Sequence, residues 1–124
     1  MFMHDATRYA LFLPGLRKAQ FAELDDGFRS LDLATLATFD CSATQIKKVE
    51  LILGAVRYDT ATDRSVQGSL RVAKQDLEAG LYRVPNVMGL DPIATSCMLS
   101  DRPATVHGKS LRPKKAMLEQ VAAL

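Results

Sequence analysis

The sequence predicts a single α+β domain over residues 1–124, with a helical first half, a central β-hairpin and a C-terminal helix. Three patterns support this fold: helical spacing of apolar residues in 21–53, apolar–polar alternation in 64–73, and one apolar face in the last residues. The composition, 48% hydrophobic and 24% charged over 124 residues, is that of a globular domain that can bury a core without metals or disulfides.

The first half begins with a short apolar run, RYALFLP, which predicts a strand ending at Pro14. Apolar residues then recur every three or four positions, which predicts a helix with a buried face made of Phe21, Leu24, Phe28 and Leu31. Asp32 is expected to cap a second short helix that carries Leu36 and Phe39. Ser42 and Gln45 have the spacing of a capping box, which predicts the start of a further helix.

The middle of the chain can be interpreted in two ways. Helical spacing and strict alternation both fit its beginning, VELILGAVRYD. The later stretch RSVQGSLRVAK alternates, with Val66, Leu70 and Val72 on one side and polar residues on the other. We therefore predict a β-hairpin over residues 51–73, and a helix is the alternative.

The last third combines helix-start signals with an extended stretch. Asp91 followed by Pro92 predicts a capped helix start, because proline suits the first helical position. The segment PATVHGKSL is compatible with extended structure. Pro113 then starts a C-terminal amphipathic helix with Met117, Val121 and Leu124 on one face. The predicted core contains Phe21, Leu24, Phe28, Leu36, Phe39, Ile46, Val49 and Leu53.

A DNA-reading helix-turn-helix, extended by the hairpin into a winged helix, is one function that this order of elements suits. Its second helix would expose Thr44, Gln45, Lys47 and Lys48, and Gln and Lys side chains can contact bases and phosphates. Three features argue against this use: the turn has Asp40 where glycine is common, the expected wing carries Asp59 and Asp63, which would repel phosphate, and the long first helix is acidic.

A basic stretch near the C-terminus is the second candidate site. It contains five cations and no carboxylate: Arg102, Lys109, Arg112, Lys114 and Lys115. Such a stretch can bind a phosphate backbone or an acidic partner, or it can be a solvated loop. The net charge of +2 decides nothing by itself.

These residues lead to one function and two alternatives. We expect a small non-enzymatic regulator that binds nucleic acid through residues 42–48 and 102–115. The first alternative is a protein-binding module, an inhibitor, adaptor or assembly subunit that could form a homodimer. The second is a small nuclease-like enzyme with His107 as the base and with Lys109 and Ser110 nearby. No established catalytic motif supports that enzyme.

No metal site and no cofactor are predicted, since two histidines and two distant cysteines make no zinc pattern. The thiols of Cys41 and Cys97 are expected to be free. The chain has no apolar run long enough for a membrane span or a signal peptide, so we expect a cytoplasmic protein without a membrane partner.

Overall fold

The computed structural model describes residues 1–14, 23–53, 63–80 and 87–124. This part of the chain is a mixed α+β structure, mostly helical, with five α-helices and two small antiparallel sheets. Its elements in chain order are β1 (Phe2–Met3), β2 (Ala10–Leu11), α1 (Leu24–Thr38), α2 (Ala43–Ile52), α3 (Arg64–Gly80), a 3₁₀ turn (Val87–Gly89), α4 (Pro92–Ser100), β3 (Ala104–Val106), β4 (Lys109–Leu111) and α5 (Pro113–Ala122).

The strand predicted in RYALFLP is present as β2, which pairs antiparallel with β1. Two serines of α4 form hydrogen bonds with the backbone of this segment, on the edge that faces away from β1. The amides of Ala10 and Phe12 donate to the hydroxyls of Ser100 (3.0 Å) and Ser96 (2.8 Å), and Ser100 donates back to the Ala10 carbonyl (2.8 Å). Side chains of a helix thus satisfy the buried backbone groups that a third strand would otherwise satisfy.

The two short helices predicted before residue 40 are one continuous helix, α1. Asp32 was expected to cap the second of them, and this is wrong: it lies inside α1 and is buried. The helix continues through Asp32 because Leu31, Thr35 and Leu36 keep the same buried face on both sides of it. The chain turns at Asp40, whose positive φ of 63° is one that aspartate tolerates better than most residues.

Helix α2 begins with the capping box predicted for Ser42 and Gln45. The Gln45 amide donates to the Ser42 hydroxyl (3.1 Å), and the Ser42 amide donates to the Gln45 side-chain oxygen (3.0 Å). Helices α1 and α2 contact each other across the turn at residues 39–42.

The predicted hairpin at residues 51–73 is wrong where the structure describes it, because residues 64–80 form α3. The Asp63 carboxylate accepts from the amides of Ser65 (2.8 Å) and Val66 (3.2 Å), which caps this helix. Val66 and Leu77 are buried, whereas Val72, predicted to share a strand face with Val66, is 55% exposed. The winged-helix arrangement proposed for this region loses its wing with the hairpin; residues 54–62 lie outside the described part.

The predicted secondary structure of the last third is confirmed, but the predicted apolar face of its helix is not complete, since Leu124 lies beyond the end of α5 and is 43% exposed. Asp91 caps α4 by accepting from the amides of Ile93 (2.8 Å) and Ala94 (3.0 Å), with Pro92 in the first turn. The extended segment is the β3–β4 hairpin, in which Val106 pairs with Lys109. Its two-residue turn has positive φ at His107 (50°) and Gly108 (76°), as a type I′ turn requires. Helix α5 starts at Pro113.

The core consists of two apolar clusters. One joins β1–β2, α1, α2 and α5 and contains Tyr9, Leu11, Leu31, Leu36, Val49 and Val121. The other contains Ala10, Phe12, Leu77 and Leu99. Of the predicted core, Leu24, Leu36 and Val49 are buried, Phe28, Phe39, Ile46 and Leu53 are partly buried, and Phe21 lies outside the described residues.

Cys41 and Cys97 are free thiols. None of the helices described is long and apolar enough to cross a membrane.

Candidate anion-binding site

Arg8 is a buried cation in an unusual backbone conformation. Its side chain is 3% exposed and its φ is 59°, a region that costs a residue with a Cβ atom conformational energy. One guanidinium nitrogen donates to the Ser65 hydroxyl (2.8 Å) and another to the Asp5 carbonyl, while Nε has no partner among the described residues. No carboxylate of the described ranges forms an ion pair with Arg8.

The guanidinium lies at a cleft of roughly 300 Å³ between the N-terminal hairpin, α3 and the start of β3. We call this the arginine cleft; its polar lining includes Arg8, Arg64, Ser65, Ser69, Arg102 and Thr105. Asp76 also lines it and forms an ion pair with Arg102. That leaves Arg8 and Arg64 without a carboxylate in the described chain, so the cleft has an excess of positive charge.

This excess favours an anion. Burying a charged group without a counter-ion costs several kcal/mol, and a bound anion removes that cost by forming charge-assisted hydrogen bonds. Guanidinium groups are well suited to phosphate or carboxylate oxygens, and neighbouring hydroxyls can donate to the same oxygens. Because Arg8 Nε is enclosed by protein atoms, the exposed Arg64 is the arginine that would contact the anion, while the buried charge of Arg8 adds attraction. The arrangement can therefore hold an oxyanion.

The predicted basic stretch lies beside this cleft. Arg102 and Thr105 line the cleft, and the chain continues from them into β3, β4 and the start of α5. Lys109, Arg112 and Lys115 are exposed and form no ion pair with any residue described. Lys114 is engaged elsewhere, because its ammonium lies 4.6 Å from the centre of the Phe39 ring. The stretch thus supplies three unpaired surface cations.

The residues predicted on α2 are less available. Thr44 and Lys47 are exposed. The side-chain oxygen of Gln45 accepts a hydrogen bond in the capping box. The Lys48 ammonium donates to the Leu124 carbonyl (3.1 Å) beyond the end of α5. Helix α5 connects the two predicted groups: Lys114 at its start contacts Phe39 in the α1–α2 turn, and Leu124 beyond its end contacts α2.

The catalytic alternative places its residues on the β3–β4 hairpin. His107 is in the two-residue turn, and His107, Lys109 and Ser110 are all exposed. The described residues contain no group of three or more histidine, cysteine, aspartate or glutamate side chains that could hold a metal ion.

The sequence patterns missed Arg8, Arg64 and Ser65. The available signal was an arginine inside the apolar run RYALFLP, since such a residue is expected to be either a surface residue or a buried charge with a specific use. Its partner Ser65 is 57 residues away in the chain, so no local pattern could connect them.

Comparison with known proteins gives a family and no named relative. No curated protein and no solved structure shows detectable similarity to the chain. A family model described as "Domain of unknown function (DUF6933)" matches residues 1–116, which include the arginine cleft and the β3–β4 hairpin. The chain therefore belongs to the DUF6933 family.

Proposed function

We propose that this protein is a small non-enzymatic regulator that binds nucleic acid, with backbone phosphates held at the arginine cleft and along the β3–β4 hairpin. The observation that carries the proposal is the buried Arg8 guanidinium, which has no carboxylate partner among the described residues and lies beside a row of unpaired surface cations. One phosphate in the cleft would compensate Arg8, and neighbouring phosphates would meet Lys109, Arg112 and Lys115.

The form of the hairpin supports a polymeric ligand rather than an isolated anion. Two-stranded β-ribbons fit the major groove of DNA, where Ser, Thr and Lys side chains can contact base edges or phosphates. Thr105, Lys109 and Ser110 of the β3–β4 hairpin are all exposed. A single small anion in the cleft would not contact the cations outside it, whereas each of these cations can neutralise one phosphate of a nucleic-acid strand.

We place the contact here rather than at the α1–α2 pair. A recognition helix needs free polar side chains on its outer face, and Gln45 and Lys48 are held by intramolecular hydrogen bonds. Thr44 and Lys47 are the residues of α2 that remain for a nucleic acid, as a secondary contact.

The test is the salt dependence of binding to labelled duplex DNA and to a structured RNA. Each phosphate contact contributes about 0.9 to the slope of log K against log salt for duplex DNA. The double variant Lys109→Gln, Lys115→Gln should therefore reduce the slope by about 2. Lys74→Gln is the matched control, because it removes an exposed lysine from α3, where it pairs with Glu78 (3.7 Å).

Three results would overturn the proposal. One is the absence of binding to either nucleic acid at low salt. Another is a slope that the double variant leaves unchanged. The third is an equal loss for the double variant and for Lys74→Gln, which would show that only net charge matters. Arg64→Gln, at the exposed edge of the cleft, should weaken binding without affecting folding.

The protein-binding alternative is favoured by a different observation. Leu51, Ile52 and Leu124, at the ends of α2 and α5, are 78%, 64% and 43% exposed. Apolar side chains grouped in this way are typical of an interface. An interface here would persist at high salt, so sedimentation of the protein at low and high ionic strength separates it from the nucleic-acid function.

A further inference from the structure

A second and larger cavity, of roughly 540 Å³, lies between the N-terminal hairpin, α1, α2 and α5. Its volume is in the range of small-molecule sites. Most of its lining is apolar and comes from all of these elements, including Phe2, Leu11, Phe28, Val49, Met117 and Val121. The nucleic-acid proposal makes no use of it.

Two polar side chains line this apolar cavity with few partners. Tyr9 is 2% exposed, and its hydroxyl has the Thr35 side chain as a neighbour but forms no hydrogen bond of normal geometry with any group described. Asp32 is 7% exposed, and no ion pair joins its carboxylate to a cation within the described ranges. The other polar lining residues, His4, Asp5 and Gln120, are exposed and lie at the rim.

This arrangement is costly unless something binds. A buried hydroxyl without a partner costs about 1–3 kcal/mol, and a buried carboxylate costs more. Burial raises the pKa of Asp32 to about 6, so the carboxylate is still mostly ionised at neutral pH. Burial and the charge of Asp32 raise the pKa of Tyr9, which keeps its hydroxyl protonated. The cavity thus presents the buried Asp32 carboxylate to an occupant, with the exposed Asp5 carboxylate at its rim, while the Tyr9 hydroxyl is enclosed by protein atoms.

We propose that this cavity is a binding site for a small molecule with an apolar body and a single amine head. The ammonium would donate to the Asp32 carboxylate, and the body would fill the space between α1, α2 and α5. A cation is the group that compensates an unpaired carboxylate, and an apolar body matches the remaining walls. The proposal does not depend on nucleic-acid binding.

The test uses three probes that share a phenylpropyl body: 3-phenylpropylamine, 3-phenylpropan-1-ol and 3-phenylpropanoate. Binding is measured by titration, with the methyl signals of Val49 and Val121 as reporters from the cavity wall. The amine should bind best and the carboxylate worst, each step being about tenfold or more. Asp32→Asn should remove the advantage of the amine while the alcohol still binds, which shows that the cavity remains intact.

Asp26→Asn is the matched control, because it removes an exposed carboxylate from the same helix. It should leave the order of the probes unchanged. The proposal is overturned if no probe shifts the cavity methyl signals, if the carboxylate binds as well as the amine, or if the preference for the amine survives Asp32→Asn.

Discussion

Replacing Asp32 by asparagine should stabilise the protein at neutral pH. Asp32 is buried within α1, and burial raises its pKa from 3.8 to about 6. One pKa unit corresponds to about 1.4 kcal/mol, so ionising Asp32 takes about 3 kcal/mol from the free energy of unfolding. Asparagine has nearly the same shape and no charge, and we expect most of that amount to be recovered.

The raised pKa of Asp32 determines how the free energy of unfolding changes with pH. Below the unfolded-state pKa of 3.8 both states hold the proton, and Asp32 has no effect on stability. Between pH 3.8 and about 6 the unfolded state loses this proton before the native state does, so the free energy of unfolding falls as the pH rises. Above about 6 the loss is complete and constant. The free energy of unfolding of the wild type should therefore decline relative to that of Asp32→Asn over this window.

Urea unfolding of both proteins between about pH 4 and about pH 7 measures the difference directly. Other carboxylates titrate in the same range, but they cancel between wild type and variant. Asp26→Asn, which removes an exposed charge from the same helix, should show no comparable gain at neutral pH. A variant less stable than the wild type at about pH 7 would refute the reasoning, because it would mean that the native fold stabilises the Asp32 carboxylate.

Four further outcomes are expected. Ser42→Ala should cost about 1 kcal/mol, measured by urea unfolding against Thr44→Ala, because it removes the capping box. Leu36→Ala should cost about 3–5 kcal/mol in the same assay, and Phe39→Ala less than a fully buried Phe, since Phe39 is only partly buried. Arg8→Met should abolish the stabilisation that added phosphate gives the wild type in thermal unfolding, with sodium chloride of equal ionic strength as control. Both thiols should be alkylated in a non-reduced sample, and the rate should keep rising above about pH 9 because burial raises the pKa of Cys41 and of Cys97.

Local signals in the sequence predicted several helix starts correctly. Ser42 with Gln45, and Asp91 with Pro92, act through contacts within one turn, so the sequence contains everything that determines them. Asp32 was misinterpreted for a related reason. Aspartate suits a helix start in general, but whether the chain is already helical there depends on the apolar face that continues to Leu36.

The helix α3 was missed because its pattern is ambiguous over a short window. Residues 64–73 alternate, and Gly68 favours a break, so a strand fits them. A window extended to residue 77 places Val66, Leu70, Ala73 and Leu77 at spacings of four, three and four, which is a helical face. The burial of Val66 and Leu77 in the structure follows that longer period.

Neither candidate site could be predicted from local patterns, although both involve consecutive residues of one short segment. Arg8 lies at the arginine cleft and Tyr9 at the apolar cavity. Each depends on distant residues, Ser65 for Arg8 and Asp32 for Tyr9. What can be read from the sequence is only that an arginine and a tyrosine are adjacent in an apolar run.

The position of these two residues has a physical consequence for binding. The backbone that follows them is fixed to α4 by the hydroxyls of Ser96 and Ser100, so this segment has little freedom to move as a whole. Arg8 is already in a strained conformation, with φ at 59°. Rotation of the Tyr9 side chain alone would leave Arg8 in place, whereas a ligand that changes the φ and ψ angles between the two residues would move the Arg8 guanidinium relative to Ser65. By linkage, an amine in the cavity and a phosphate in the cleft would then alter each other's affinity by the same factor.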